Sequence, residues 1–410
     1  MSQTFVIVGA GLAGATAAQV LRDEGFEGRV VLLGDEAERP YERPPLSKGY
    51  LLGESPRDKA FVHEPGWYAE HDVDLRLSTP VAGIDTAAHE ISWGDGDRLR
   101  YDALLLATGS SPRRLQIPGA DLAGVHYLRR LQDSDALRVA FERSSRVVVI
   151  GAGWIGLEAA AAARAADLDV TVVEPAPLPL LRVLGPEVAR IFADLHRDHG
   201  VDLRLGTGVA ELLGSDGAVT GVRLSDGTEL STGLVVVGIG VTPNTRLAED
   251  AGLAVSDGID VDQHLRSSDP DVYAAGDVAA AENPRWGRRI RVEHWANARH
   301  QGRTAALSML GRDAVHDRLP YFFTDQYDLG MEYTGYADGY DRVVLRGDVG
   351  RRELIAFWLR SGRVVAGMNV NVWDVTDAVA DLVRSGAPVD RARLADPAVP
   401  LAEVPAAAAR

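Results

Sequence analysis

The chain of 410 residues is longer than one hydrophobic core usually supports, so its length predicts two or three domains. Its formal net charge of −16 disfavours nucleic acid or an anionic membrane as the main partner. The chain contains no cysteine, which excludes disulfides, thiolate nucleophiles, iron–sulfur ligation and zinc–cysteine sites within it. The first 21 residues are uncharged but lack a basic leader, so we expect a cytoplasmic protein rather than a targeting or membrane segment.

The first predicted elements are a strand at residues 5–8, a glycine turn, a helix and a second strand. The turn contains G-x-G-x-x-G, in Gly9, Gly11 and Gly14. Glycines at this spacing allow a tight turn, close approach of a pyrophosphate and close helix–strand contact, and the helix N-terminus favours phosphate. Asp35 follows Gly14 by 21 residues, near the spacing at which an acid binds a ribose hydroxyl.

The same pattern recurs at residues 146–174. Gly151, Gly153 and Gly156 repeat the spacing, and Glu174 follows the last glycine by 18 residues. One G-x-G-x-x-G is weak evidence. Two copies, each between a strand and a helix and each followed by an acid, predict two dinucleotide sites.

Other segments mark the ends of buried strands and the last part of the chain. Small residues end predicted strands in LATGS (106–110), GIGVTPN (238–244) and AAGDV (274–278). From Leu319 the pattern predicts a meander with a Ser361-Gly362 hairpin turn and then a helix that stops at a glycine. We expect the tail after Val389 to pack loosely.

Lysine is rare in this chain, since only Lys48 and Lys59 stand among 43 basic residues. Lys48 follows ERPPLS, whose prolines should fix where the next helix begins, so Lys48 would project from the first turn of that helix. A compact ammonium suits a tight polar pocket that a planar guanidinium would not fit. The alternative is that Lys48 lies on a solvated surface by chance.

The ordered set GAGLAG, ERPPLSK, LATGS, GAGWIGLE, GIGVTPN and AAGDV resembles the flavoprotein pyridine-nucleotide reductases. RPPLSK and TDQY narrow the likeness to the ferredoxin reductases of bacterial oxygenase systems, and it covers essentially the whole chain. The resemblance implies an α/β fold with two nested Rossmann-like dinucleotide-binding domains (glutathione-reductase-like) and a C-terminal α+β interface domain. The implied domains are an FAD-binding domain at 1–112 and 241–320, an NAD-binding domain at 113–240 and the interface domain at 321–410.

The resemblance also implies site residues. Lys48 is expected beside the flavin and paired with Glu158, which can reach the nicotinamide, so both are candidate catalytic residues. The other residues expected at the FAD are Gly9, Gly11, Ala13, Gly14, Asp35 (or Glu36), Val81, Ala107, Thr108, Gly109, Arg129 (or Arg130), Gly276, Asp277 and Trp295. For Trp295, the alternative is a position in the hydrophobic core. The residues expected at the second site are Gly151, Gly153, Ile155, Gly156, Glu158, Glu174, Arg182 and Gly240.

The cofactor and acceptor follow from two further features. Glu174 should bind a ribose and repel a 2′-phosphate, which favours NADH over NADPH, although Arg182 could still reach a phosphate. Without cysteine, reduced flavin must pass its electrons to an external acceptor, and a flavin can release them singly. We therefore expect an NADH-dependent reductase of a 2Fe-2S ferredoxin that serves a haem monooxygenase or a Rieske-type oxygenase.

Two other functions remain open at this point. One is an NADH dehydrogenase that reduces a quinone or another small acceptor. The other is an apoptosis-inducing-factor-like interaction module, which predicts a basic surface and targeting segments that this acidic chain does not show. No metal site is expected, since a solvated helix face is favoured over metal binding for His196 and His199.

Overall fold

The computed structural model describes residues 3–404, in which strands and helices alternate over most of the chain. The strands are, in chain order, β1 (Thr4–Val8), β2 (Arg29–Leu33), β3 (Val73–Arg76), β4 (Val81–Asp85), β5 (Glu90–Trp93), β6 (Asp97–Arg100), β7 (Ala103–Leu106), β8 (Ser110–Pro112), β9 (Val125–Tyr127), β10 (Arg146–Ile150), β11 (Asp169–Glu174), β12 (Asp202–Leu205), β13 (Val209–Ser215), β14 (Ala218–Leu224), β15 (Glu229–Ser231), β16 (Val235–Val237), β17 (Val241–Pro243), β18 (Ile259–Val261), β19 (Val272–Ala274), β20 (Ala279–Asn283), β21 (Arg288–Arg291), β22 (Tyr321–Gln326), β23 (Leu329–Gly335), β24 (Arg342–Asp348), β25 (Glu353–Arg360) and β26 (Arg363–Val370).

The α-helices described in the same residues range from 4 to 18 residues in length. They are α1 (Leu12–Asp23), α2 (Trp67–Glu70), α3 (Leu131–Arg143), α4 (Trp154–Ala165), α5 (Leu181–Asp198), α6 (Arg246–Asp250), α7 (Trp295–Met309), α8 (Thr376–Ser385) and α9 (Arg391–Ala395). The 3-10 helices are Pro44–Ser47, Arg57–Ala60 and Leu401–Glu403.

The described chain divides into two compact units, each built from separate stretches of sequence. The first comprises residues up to Pro44, Pro56–Ser111 and Val241–Pro320. The second comprises Pro45–Ser55, Pro112–Gly240 and residues from Tyr321 on. The domain boundaries given by the resemblance remain predictions, and residues 1, 2 and 405–410 of those domains lie outside the described residues.

The first unit is built on a parallel sheet in the order β19-β7-β1-β2-β3. Its strands are fully buried along most of their length, which explains their β-branched and leucine-rich sequences. Helix α1 packs closely on α7, where a Cβ on Gly302 would lie 2.4 Å from the carbonyl oxygen of Ala13. Strand β2 lies on one side of β1 and β7 lies on the other, so the order of the strands reverses at β1. In parallel sheets of this kind, ligands bind beside the carboxyl ends of the strands at the point of reversal.

The second unit repeats this arrangement around β10. Its parallel sheet has the order β12-β11-β10-β16-β9, so β10 takes the place that β1 has in the first unit. The two predicted strand–turn–helix–strand patterns are therefore confirmed, and each lies at the centre of a parallel sheet.

The last part of the second unit is an antiparallel sheet in the order β22-β23-β26-β25-β24. The expected meander is wrong, because β23 pairs with β26 and not with β24. The predicted hairpin turn is confirmed, with φ of 51° at Ser361 and 74° at Gly362. Helix α8 packs on β23 and β26 and ends at Gly386, at a φ of 55°, as the sequence predicts.

The expectation of a loosely packed tail after Val389 is wrong as far as Val404. Leu394 and Val404 are fully buried. The guanidinium of Arg346 donates to four backbone carbonyl oxygens in this segment, those of Leu394, Asp396, Pro397 and Val399, at 2.7 to 3.3 Å. A single arginine on β24 thus satisfies the carbonyl groups that the irregular segment leaves unpaired.

Lys48 lies in a series of turns and not in the expected first turn of an α-helix. The 3-10 helix Pro44–Ser47 ends directly before it, and the N–H of Lys48 donates to the carbonyl oxygen of Pro45 at 3.1 Å. The two prolines remove two backbone donors, and Gly53 adopts a φ of 75°, which favours glycine. These residues interrupt regular helical hydrogen bonding on both sides of the lysine.

Candidate functional site

The first glycine turn combines tight packing with an open side. A Cβ on Gly9 would lie 2.1 Å from the carbonyl oxygen of Ala107, and a Cβ on Gly14 would lie 2.1 Å from that of Gly9. Gly9 also has a φ of 116°, which favours glycine. By contrast, no atom of residues 3–404 lies within 4 Å of a Cβ on Gly11. The outer two glycines therefore serve packing, and the middle one leaves space for a ligand.

Helix α1 presents its N-terminus to that space. Gly11 is the N-cap residue and has no side chain to bind the first-turn N–H groups. The first helical hydrogen bond runs from the N–H of Ala15 to the carbonyl oxygen of Gly11, at 2.9 Å. A helix start of this kind binds a phosphate through backbone N–H groups and the positive end of the helix dipole.

The second glycine turn has the same geometry. A Cβ on Gly151 would lie 2.4 Å from the carbonyl oxygen of Gly238, and a Cβ on Gly156 would lie 2.1 Å from that of Gly151. In the part of the chain that the structure describes, a Cβ on Gly153 would have one atom within 4 Å, the carbonyl oxygen of Gly238 at 3.9 Å. Gly153 is the N-cap of α4, and Ile155 in the first turn is 42% exposed.

The acids at the ends of β2 and β11 differ in their contacts. Glu174 accepts backbone N–H groups from Ala152 at 2.8 Å and Ala176 at 2.9 Å, so it holds the second glycine turn against β11. The carboxylate of Glu36 accepts from Tyr41 at 2.5 Å and pairs with Arg43 at 3.1 Å.

Asp35 is exposed. The assignment of the ribose to Asp35, with Glu36 as the alternative, remains a prediction.

Three segments that follow strands of the first unit are joined by hydrogen bonds of their side chains. Asn244 donates to the carbonyl oxygen of Thr108 at 2.8 Å, and the hydroxyl of Thr108 donates to that of Asn244 at 2.9 Å. Ser110 donates to the Asp277 carboxylate at 2.7 Å. Gly276 has a φ of 84°, and a Cβ there would lie 3.2 Å from the Cβ of Ala13. The AAGDV segment is therefore brought against the first glycine turn.

A buried ion pair stands out in the second unit. Lys48 Nζ lies 2.7 Å from Glu158 Oε1, and their side chains are 16% and 5% exposed. The hydroxyl of Ser47 donates to Glu158 Oε2, and that of Thr324 donates to Oε1 at 2.5 Å. Burying two charges costs free energy that is recovered only when further hydrogen bonds satisfy them, as these hydroxyls do. The pairing of Lys48 with Glu158 that the resemblance implies is present.

Comparison with known proteins gives the family. Residues 3–302 match the family described as pyridine nucleotide-disulphide oxidoreductase, and residues 321–405 match the reductase C-terminal family. The chain belongs to the pyridine nucleotide-disulphide oxidoreductase family.

Several relatives are similar over nearly the whole length of this family member. The ferredoxin reductase subunit of 5,5′-dehydrodivanillate O-demethylase from Sphingobium sp. is 42% identical over 98% of each chain. Putidaredoxin reductase from Pseudomonas putida is 38% identical over 99% of this chain and 98% of its own. A solved structure of the covalent putidaredoxin reductase–putidaredoxin complex matches with a TM-score of 0.95 and 37% identity, over 98% of this chain and 97% of that chain.

The protein is accordingly a flavoprotein oxidoreductase that binds FAD and NADH. Its two glycine turns fit dinucleotides, because each has packed outer glycines, an open middle glycine and a helix N-terminus without a side-chain cap. None of the helices in residues 3–404 has both the length and the apolar character needed to cross a membrane. Within those residues, no three histidines or carboxylates are grouped to hold a metal ion.

The remaining predicted site residues are dispersed within their units, and their roles remain predictions. Val81 is the first residue of β4 and is half-buried. Trp295 is the first residue of α7 and is also half-buried, and the Cζ atom of Arg299 lies 4.8 Å from the centroid of its ring. Arg129 is half-buried, whereas Arg130, Arg182 and Gly240 are exposed.

The structure adds residues that sequence reasoning did not single out. Ser47 and Thr324 both donate to Glu158. Ser47 lies in RPPLSK and Thr324 lies in TDQY, so membership of these two motifs is the feature of the sequence that could have identified them. Burial lowers the pKa of His294 to about 4, with Asp277 acting in the opposite direction. The expected solvated surface is wrong for His196, which is fully buried on α5, although His199 is half-buried.

Proposed function

We propose that this protein is an FAD-dependent NADH:ferredoxin reductase, with FAD at the first glycine turn and NADH at the second. The observation that carries the proposal is the buried Lys48–Glu158 ion pair in a chain without cysteine. No thiol can receive electrons within this chain, so they must leave for an external acceptor. Bound FAD supplies the redox chemistry, since a flavin accepts a hydride and can release electrons singly.

The chain's own residues bind and orient the cofactors in this proposal. The N–H groups at the starts of α1 and α4 bind the two pyrophosphates, for which Gly11 and Gly153 leave room. Glu174 accepts a hydrogen bond from the ribose of NADH and repels a 2′-phosphate. Lys48 and Glu158 place a fixed cation and a fixed carboxylate where the hydride is transferred.

The proposed acceptor is a 2Fe-2S ferredoxin that serves a haem monooxygenase or a Rieske-type oxygenase. The names of the relatives support it, since one is the ferredoxin reductase subunit of an O-demethylase and another is putidaredoxin reductase. The net charge of −16 disfavours nucleic acid or an anionic membrane as a partner. We also infer a cytoplasmic location, which a reaction supplied by NADH supports.

The proposal is tested by comparing acceptors. The purified protein should be yellow, release about one FAD per chain, and reduce a 2Fe-2S ferredoxin with NADH, measured through cytochrome c. Ferricyanide serves as a control for flavin reduction that needs no protein partner. Fast turnover with a quinone and ferricyanide, together with no reduction of any ferredoxin tried, would contradict the proposed acceptor.

A further inference from the structure

His196 belongs to a buried polar cluster that the proposed reaction does not use. It lies on α5 and is fully buried. Its Nε2 lies 2.9 Å from Gln326 Oε1, and its Nδ1 lies 3.2 Å from the hydroxyl of Tyr327. Gln326 is also fully buried. Buried polar groups are costly unless their hydrogen bonds are satisfied, so each of these contacts constrains the next.

The contacts continue from Gln326 to the ion pair and determine which atom donates at each step. Gln326 Nε2 lies 3.3 Å from Thr324 Oγ1, which lies 2.5 Å from Glu158 Oε1. A carboxylate can only accept, so Thr324 donates to Glu158 and accepts from the amide of Gln326. Gln326 Oε1 then accepts from His196 Nε2–H, and His196 Nδ1 accepts from Tyr327. We call these five residues the donor chain.

The strand geometry places the donor chain on one face. Thr324 and Gln326 are two residues apart on β22, so both point to its buried side, whereas Asp325 is exposed on the other side. Tyr327 follows at a φ of 57°, an uncommon conformation for a large side chain. Its ring stacks on His199 at 3.8 Å. Backbone strain of this kind persists where surrounding contacts hold it, and it clusters at functional sites.

The protonation states agree with this direction. Burial lowers the pKa of His196 to about 4, with Gln326 acting against this shift and His199 adding to it. Burial raises the pKa of the Tyr327 hydroxyl. At neutral pH, His196 therefore has one donor and one acceptor nitrogen, and Tyr327 keeps its proton.

We propose that His196 is a positioning residue for the hydride transfer, which acts through Gln326 and Thr324 to hold Glu158 in one orientation beside Lys48. The inference rests on the proposed function. An amide can turn over to exchange its oxygen and nitrogen, and only one orientation of Gln326 donates to Thr324. His196 Nε2–H selects that orientation.

Without this donor, the Gln326 oxygen can face Thr324, whose hydroxyl then turns away from Glu158.

Three variants test the catalytic part of the proposal by stopped-flow reduction of the flavin with NADH. His196→Phe keeps a ring but loses the donor and should slow reduction about tenfold, the size expected for losing one hydrogen bond to a charged group. His196→Gln retains an amide donor and should recover most of the rate. Asp194→Asn, an exposed position on the same helix and outside the donor chain, should reduce the flavin at the unmutated rate.

A double-mutant comparison shows whether the effect passes through Thr324. His196→Phe should have little further effect in a Thr324→Val background, because the hydroxyl that it acts on is already absent. The dissociation constant for NAD⁺ should change less than the reduction rate in every variant. Additive effects of the two substitutions would overturn the proposal.

The donor chain itself is tested by long-range ¹H–¹⁵N NMR of the imidazole groups in the unmutated holoprotein, so the result does not depend on how the variants fold. His196 should carry its proton on Nε2, and Thr324→Val should shift the His196 signals more than those of His199. A proton on Nδ1, or His196→Phe that is reduced as fast as the unmutated protein, would overturn the proposal. A protein that NADH does not reduce, but whose His196 has the Nε2 proton, would contradict the proposed function and leave the donor chain intact.

Discussion

At the scale of single residues, Glu174 has two roles that substitution can separate. It accepts N–H groups from Ala152 and Ala176, and we propose that it discriminates against a 2′-phosphate. Glu174→Ala should lower the ratio of kcat/KM for NADH to that for NADPH by about tenfold, through loss of a charged hydrogen bond and of the repulsion. Glu174→Gln keeps a hydrogen-bond acceptor but not the charge, so its ratio should lie between those of the unmutated protein and Glu174→Ala.

Steady-state kinetics with both coenzymes provide this measurement. Equal kcat/KM values for NADH and NADPH in the unmutated protein would show that Glu174 does not discriminate.

Lys48 is the second residue whose role can be isolated. Lys48→Met leaves Glu158 buried without its counter-charge, and loss of a preorganised charge at a reaction site costs on the order of 10²-fold in rate. We expect flavin reduction by NADH to slow by about that factor, with little loss of bound FAD. Lys59→Met is the matched control, because Lys59 is exposed and is the only other lysine.

Stopped-flow absorbance follows reduction, and the flavin released by denaturation gives the FAD content. Reduction of Lys48→Met at the unmutated rate would remove Lys48 from the catalytic residues.

At the scale of elements, the second glycine turn contains two glycines with opposite constraints. A Cβ on Gly156 would lie 2.1 Å from a carbonyl oxygen, whereas the nearest atom to a Cβ on Gly153 is 3.9 Å away. Gly156→Ala should therefore lower the melting temperature by several degrees, because backbone must move. Gly153→Ala should leave it nearly unchanged and weaken NADH binding, because its methyl group occupies the space proposed for the pyrophosphate.

Thermal unfolding and NAD⁺ titration distinguish the two variants. A Gly153→Ala protein that binds NAD⁺ with unchanged affinity would place the pyrophosphate elsewhere.

At the scale of the whole molecule, buried histidines make stability depend on pH. His196 and His316 are 0% and 5% exposed, and burial lowers the pKa of each to about 4. The unfolded chain takes up these protons below a pH of about 6.5, whereas the folded chain does not. The free energy of unfolding is therefore highest, as far as these histidines determine it, above pH 6.5. It decreases as the pH falls from 6.5 towards 4, by about 3 kcal/mol for each histidine.

Melting temperatures should therefore fall between pH 7 and pH 4.5, and more steeply in the unmutated protein than in His316→Gln. The same slope in both proteins would show that His316 does not contribute.

Overall charge bears on how an acidic ferredoxin could dock. A chain with a net charge of −16 repels such a partner at long range, so docking requires a local basic surface. Arg57 pairs with Glu38 at 2.7 Å and Arg303 approaches Glu24 at 3.6 Å, whereas Lys59 and Arg299 are exposed. Because charges at the rim of an interface mainly change the association rate, Lys59→Glu with Arg299→Glu should slow ferredoxin reduction at low salt.

The defect should shrink as salt rises, and turnover with ferricyanide should stay nearly unchanged. Equal slowing with both acceptors would locate the defect in the flavin site, and no slowing with either would place docking elsewhere.

The sequence by itself determined the features that depend on local chemistry. The two glycine turns, their flanking strands and helices, the Ser361-Gly362 hairpin and the end of α8 all follow from residue periodicity and from the backbone angles that glycine permits. The lack of cysteine likewise excluded thiol chemistry within the chain from composition alone. Lys48 and Glu158 also lie in sequence motifs, ERPPLSK and GAGWIGLE. Their pairing was predicted from the resemblance to the family and not from the motifs themselves.

The tertiary structure alone decided which distant residues meet. Ser47 and Thr324 bind Glu158 across 111 and 166 residues of sequence, and β23 pairs with β26 rather than with its neighbour β24. His196 looked like a surface residue because a helical pattern in the sequence does not identify what packs on the helix, and here β22 and the turn after it supply Gln326 and Tyr327. Local propensity fixes the elements, but burial and hydrogen bonding between distant segments depend on how those elements pack.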